Sequence, residues 1–265
     1  MLSMTPYRSG LWLAEYLNLR CQLCHVYPSA LQPQARPQPS TSSLTSRVCD
    51  RFNKGLLCTY CHDSIAWCPA PFTVDISAGS SLSIQAATYY DYPIRQIIRA
   101  FKHAEDMAKL PLLVHVLRQL PRPTGCHGGN SVIVPMPTTD SRLVKRGFDP
   151  VTILSLYLSK HWQIPLWHGA WRIDDTVSQQ GLTRAERLTN LDNAFVLTEP
   201  PPVKRLLLFD DVATTGASLQ ALARTLCESS STVSSDTVLS GQNVTMDTQR
   251  YHLSAYALAH GSINK

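Results

Sequence analysis

The chain has no uninterrupted apolar run near the roughly 18 residues that a bilayer-spanning helix requires, so membrane insertion is not expected. Its first residues, MLSMTPYRSGLWLAEYL, carry one arginine and a broken apolar pattern that includes Glu15, which makes a poor secretory leader. Together these two absences predict a cytoplasmic protein. Charge is sparse as well: 16% of residues are charged against 44% apolar, which excludes a high-charge disordered chain. The net charge of +5 gives a mild preference for anionic partners but discriminates little among soluble proteins. Two phosphate-binding signatures are missing, the G-x-x-x-x-G-K-[ST] loop and the G-x-G-x-x-G fingerprint, and no internal repeat is visible.

What is present falls into two parts. The first is cysteine-rich and is interrupted by YPSALQPQARPQPSTSSLTSR, residues 27–47, whose Pro, Ser and Gln content reads as a flexible insertion. Beyond Ser83 apolar strands alternate with amphipathic helices. PIRQIIRAFK sets Ile94, Ile97, Ile98 and Phe101 on one helical face, with Arg95, Arg99 and Lys102 largely on the other. SVIVPMP and RLLLFDD read as buried strands, VTILSLYLSK and SLQALARTL as helices, and YHLSAYALAHG as an edge or late strand. The stretch 228–250 shows no convincing period and reads as containing a loop. This alternation predicts an α/β fold with a mainly parallel sheet flanked by helices. The domain division that follows is 1–75 and 83–265.

The chain has eight cysteines. A reducing compartment disfavours a disulfide framework, so their spacing is read first as metal ligation. Cys21-x-x-Cys24 and Cys58-x-x-Cys61 form two knuckles suited to a tetrahedral thiolate site for structural Zn²⁺. Cys49, His25, His62 and Cys68 lie close enough in sequence to replace one ligand. Such a closed site leaves no coordination position for a catalytic water.

The most informative stretch is LLLFDDVATTGASL, residues 206–219. Ligands of parallel sheets bind beyond the carboxyl ends of the strands, where Asp210 and Asp211 stand. The small residues Ala213, Thr214, Thr215, Gly216, Ala217 and Ser218 let a backbone approach an anion, and the following helix offers free N–H groups. Carboxylates beside that cradle would repel phosphate but accept hydrogen bonds from sugar hydroxyls, a pairing suited to a ribose 5-phosphate. A plainer reading has Asp211 or Thr215 capping a helix, although a cap needs only one side-chain oxygen.

This stretch is similar to the phosphoribosyl pyrophosphate (PRPP) motif of type I phosphoribosyltransferases. VIVPMPTTDSRLVKRGFDP, SQQGLTRAERLTNLDNAF and YYDYPIRQIIRAFKH in turn resemble motifs of the competence protein F (ComF) family, which includes GntX-like proteins. The resemblance covers residues 88–226 in order. Departures are Asp149-Pro150, where the family usually has Asn-Gln, and the terminal ALAHG, where an arginine is common.

The resemblance implies a type I phosphoribosyltransferase-like fold behind a small four-cysteine zinc ribbon. It implies that Asp210 and Asp211 hold the ribose hydroxyls of PRPP while Ala213–Ser218 wrap its 5-phosphate with Mg²⁺ present. Arg142, Lys145 and Arg146, in what reads as a loop after Pro137, are candidates to close over pyrophosphate. Arg184 and Arg187, three residues apart on one helical face, are further candidates. No catalytic residue is assigned. Two readings stay open, both linked to DNA uptake and utilisation: a phosphoribosyl transferase releasing pyrophosphate, or a non-catalytic module binding PRPP or single-stranded DNA and docking DNA-processing partners.

Overall fold

A computed structural model describes residues 20–27, 29, 56–77, 80–173, 194–232 and 251–261. In chain order its elements begin with α1 (Thr59–Asp63), β1 (Phe72–Ser77), β2 (Ser80–Tyr89), α2 (Ile94–His103) and α3 (Leu110–Leu117). β3 (Ser131–Pro135), α4 (Asp140–Arg146), α5 (Pro150–Trp162) and β4 (Ala170–Arg172) follow. The last are β5 (Phe195–Leu197), β6 (Arg205–Ala213), α6 (Ala217–Thr232) and β7 (His252–His260). Five strands pair in the order β1-β2-β7-β6-β3, and β4 and β5 form a separate two-stranded ribbon. Only β1 runs antiparallel to its neighbour; the other three pairings of the main sheet are parallel. The fold is therefore α/β, with a mainly parallel sheet flanked by helices and a four-cysteine cluster near the amino terminus.

Burial explains the strand choice. All five residues of β3 are buried, as are Leu206 to Phe209 of β6, so these strands are covered on both faces and read as unbroken apolar runs. Burying each Leu or Phe side chain contributes about 1.5–3 kcal/mol. Strand β7 lies between β2 and β6, which settles the choice left by its sequence: it is an inner strand and no edge. Ala255 to Ala259 are buried throughout, and the alanines allow close packing on either side. Successive residues of a strand face opposite ways. Tyr256 meets Trp162 of α5 edge-on at 4.9 Å, whereas Ala255 pairs with Ile84, which packs toward the start of α6.

Helix α2 buries Ile94, Ile97, Ile98 and Phe101, as its period predicts. The stretch expected to be a loop after Pro137 is instead the short helix α4. Thr139 caps it by accepting from the Arg142 N–H at 3.4 Å, and Gly147 closes it in the left-handed region with its N–H bonded to the Leu143 carbonyl.

The cysteine region is built into the same core. Cys21, Leu57 and Cys58 belong to the hydrophobic cluster that fills the sheet. Trp67 bridges to Thr88 of β2, the Cys68 N–H donates to the Ala87 carbonyl at 2.7 Å, and the Thr88 hydroxyl donates to the Ala66 carbonyl at 3.1 Å. The expected insertion at 27–47, apart from Tyr27 and Ser29, and residues 233–250 lie outside the described residues.

Candidate functional site

The acidic pair sits at the carboxyl end of β6, next to last in the sheet. Asp210 is half-buried and Asp211 buried, and their carboxylates lie close enough to interact directly. The Asp211 N–H donates to the Asp210 carboxylate at 2.8 Å. Asp211 is 5% exposed and pairs with the Lys102 ammonium of α2 at 2.5 Å. Burial first, and then the charge of Asp211, push Asp210 up to about 7, so it stands poised between its acid and its carboxylate near neutral pH.

Beyond Ala213 the chain turns through Thr214, Thr215 and Gly216 into α6. Gly216 has φ +76°, and a Cβ there would lie 2.6 Å from Ile84 Cδ1 and 3.0 Å from Val74 Cγ1, so both conformation and space require glycine. The Thr215 hydroxyl accepts from the Ala217 N–H at 3.4 Å. The Ala213 carbonyl accepts from the Gly261 N–H at 2.8 Å and lies 3.1 Å from His260 Nδ1, which must then carry the proton. The His260 ring packs on Phe72 with centroids 4.2 Å apart. Thr214 is exposed while Thr215, Ala217 and Ser218 are half-buried, so the turn presents small groups and the amino end of a sixteen-residue helix at one rim of the sheet. That arrangement can receive an anion.

Cations gather around the pair. Burial and then the charges of Arg146, Lys102 and Arg99 hold His103 below the usual imidazole range, which places Arg146 on this side of the molecule. Arg172, in the β4–β5 ribbon, is held below the usual guanidinium range by burial and then by Arg142, while Asp210 acts in the opposite sense. Its Nε is buried and finds no hydrogen-bond partner among the described residues. Its guanidinium lies over the Phe195 ring at 5.5 Å, and the ribbon packs on α6 through β5. Of the basic residues singled out from sequence, Arg142 thus lies near Arg172 and Arg146 near His103. Lys145 is exposed on α4, and Arg184 and Arg187 lie outside the described residues.

Sequence reasoning missed two participants. Lys102 was placed on the solvent face of α2, yet it is half-buried against Asp211. Arg172 was not singled out at all. Its signal was local: period-two alternation puts it on the same side as buried Ala170, directly across from Phe195, an inward position for an arginine.

On the flank, the sulfurs of Cys21, Cys24, Cys58 and Cys61 all lie within 4.8 Å of one another, and those of Cys24 and Cys58 are 3.8 Å apart. A tetrahedral site with Zn–S near 2.3 Å has an edge of about 3.8 Å, so the donor set fits. The backbone N–H groups of Tyr27 and Val26 lower Cys24 to about 6, whereas burial followed by the other thiols raises Cys61. A divalent cation would relieve that crowding of thiols. The four cysteines can hold a structural metal ion such as zinc. Among the described alternatives, Cys68 turns away to donate to the Gln119 carbonyl at 3.2 Å, and His25 is exposed; Cys49 lies outside the described residues.

Fold and site together define an α/β protein with an acidic pair and a small-residue turn at the carboxyl rim of its parallel strands, and a four-thiol cluster able to hold a metal on its flank. No family model matches the chain. It is 37% identical over 98 residues to Competence protein F of Haemophilus influenzae, covering 36% of this chain and 43% of that protein. It is 33% identical over 96 residues to DNA utilization protein YhgH of Salmonella typhi and of Salmonella typhimurium, covering 36% of this chain and 42% of each relative. The chain thus spans less than half the length of these curated relatives. Over that stretch the chain is similar to competence protein F and to DNA utilization proteins. Among the described residues no helix is long and apolar enough to cross a membrane.

Proposed function

We propose that the carboxyl rim of β6 and β7 binds PRPP with Mg²⁺, in a type I phosphoribosyltransferase-like domain of residues 83–265. The observation that carries this reading is the juxtaposition of Asp210 and Asp211 with the turn from Ala213 to Ser218 at the start of α6. The acids accept from the ribose 2- and 3-hydroxyls, and the turn donates N–H and hydroxyl groups to the 5-phosphate. Arg142, Arg146 and Arg172 supply bidentate guanidinium contacts to pyrophosphate, with Arg184 and Arg187 as further donors. Mg²⁺ is held chiefly by ligand oxygens and water. Zinc on Cys21, Cys24, Cys58 and Cys61 organises a ribbon region, residues 1–75, which β1 ties to the sheet.

If the rim turns over its ligand, an acceptor displaces pyrophosphate from ribose C1, and positioning and charge neutralisation carry the catalysis without a protein nucleophile. The names of the relatives support a role in DNA uptake or utilisation. A second reading is a non-catalytic module that senses PRPP or holds single-stranded DNA. The exposed Tyr60 and Tyr27 beside the metal knuckles, with ring centroids 5.0 Å apart, favour a docking role for that end. Pyrophosphate release from PRPP in the presence of a panel of bases distinguishes the two. Turnover supports the enzyme, saturable binding without turnover supports the module, and absence of any PRPP binding removes both PRPP readings.

A further inference from the structure

A cavity of about 340 Å³ opens at the other end of the same strands, lined by Pro123, Thr124, Cys126, Arg205, Leu207, His252, Ser254 and Tyr256. Arg205 and His252 are the first residues of β6 and β7, so the cavity lies at the amino rim. Eight residues of strand, about 26 Å, separate it from the turn after Ala213.

Its composition follows from the strand period. Arg205 pairs with His252, Leu207 with Ser254 and Phe209 with Tyr256, so Arg205, Leu207, His252, Ser254 and Tyr256 share one face. Directly opposed basic side chains on neighbouring strands repel when both are charged. Among the described residues no carboxylate lines the cavity to compensate them. Hydroxyl donors from Thr124, Ser254 and Tyr256 complete the set. Burial first, and then Cys126, push the Tyr256 phenol up to about 12, which keeps it a donor. The wall is fixed in place: the Gly125 carbonyl accepts from Arg205 Nη1 at 3.3 Å and from Asn130 Nδ2 at 2.9 Å, and the Cys126 carbonyl accepts from Arg122 Nη2 at 3.4 Å. Leu207 and Pro123 supply an apolar patch beside these donors.

Two basic groups, three hydroxyls and an apolar wall match a ligand with a compact, multiply charged, acceptor-rich head on a small carbon body. We propose that this cavity is a second anion site, independent of the carboxyl rim, that takes a small phosphate monoester with its phosphate between Arg205 and His252. The guanidinium fork gives the phosphate charge-assisted bonds, a ring N–H of His252 adds a donor, and the hydroxyls complete its shell.

The probe is glycerol 2-phosphate, with inorganic phosphate as the headgroup alone, added to the full chain in its metal-loaded form. Backbone NMR shifts should saturate at 124–126, 205–207 and 252–256. Alkylation of Cys126, followed by peptide mass mapping with Cys227 as internal reference, should slow about tenfold at ten times the half-saturating concentration. Arg205→Gln should weaken binding about tenfold or more through loss of a charge-assisted contact. His252→Gln provides a second test should Arg205→Gln fold poorly, and Asp210→Asn should leave the response intact. Stronger protection by the ester than by phosphate supports the monoester class, and equal protection by both overturns it. Shifts confined to residues 210–218, an unchanged Cys126 rate, or wild-type affinity in both cavity variants overturns the site.

Discussion

Replacing Asp210 by Asn should make the protein more stable and less able to bind its ligand. Asp210 rests at about 7 because burial and Asp211 disfavour its charge. An unfolded aspartate titrates near 3.9, so between roughly pH 4 and 7 the folded chain holds a proton that the unfolded chain has released. Folding stability therefore falls as pH rises through that window, and the full cost is present above it. At about 1.4 kcal/mol per pH unit the gap sets a ceiling of about 4 kcal/mol. Asp210 is partly open to solvent, and screening reduces the expected cost to about 1–2 kcal/mol. Asn keeps the oxygen that accepts the Asp211 N–H and removes the charge. For a domain of this size the melting temperature of Asp210→Asn should rise by about 2–8 °C at pH 8, with the gain vanishing near pH 4. Differential scanning calorimetry across pH 4–8 reads this directly. An equal or lower melting temperature at pH 8, or a pH-independent difference, would refute the reasoning.

Lys102→Met leaves buried Asp211 without its ammonium, and urea denaturation should show a loss of about 3–5 kcal/mol at pH 7; a loss under 1 kcal/mol would mean that the pair is not formed in solution. Gly216→Ala must adopt a left-handed backbone and push on Ile84 and Val74, so a loss of about 2–4 kcal/mol is expected, and a neutral result would place the turn elsewhere. Elemental analysis should find about one zinc per chain, abolished in Cys21→Ser/Cys24→Ser with lower thermal stability because Cys21 is part of the core. A well-folded, metal-free wild type would contradict the zinc assignment.

The elements legible from sequence were those whose pattern is local. The apolar runs at 131–135 and 206–209 have only one way to be covered, and the Ile94, Ile97, Ile98 and Phe101 period fixes the inner face of α2. Two C-x-x-C pairs define their own cluster because sulfur spacing within each knuckle is a short-range property. What stayed hidden depends on contacts between distant residues. Lys102 reaches Asp211 only after α2 packs across the sheet, and Arg172 approaches Asp210 only once the β4–β5 ribbon rests on α6. The inner place of β7 was equally hidden, since strand order is set by parallel crossovers and not by any residue in the strand. At α4 the polar, charged DSRLVKR shows no core-facing period, and its helix rests on Thr139 and Gly147 at its ends.

The carboxyl rim of β6 is proposed to hold a ribose phosphate. Isothermal titration of the zinc-loaded chain with PRPP and Mg²⁺ tests it most directly, comparing wild type with Asp210→Asn/Asp211→Asn. Saturable, Mg²⁺-dependent binding near one ligand per chain is expected in the wild type, with loss of that heat in a folded double variant. Absence of heat in the wild type, or the same isotherm in both proteins, would contradict it.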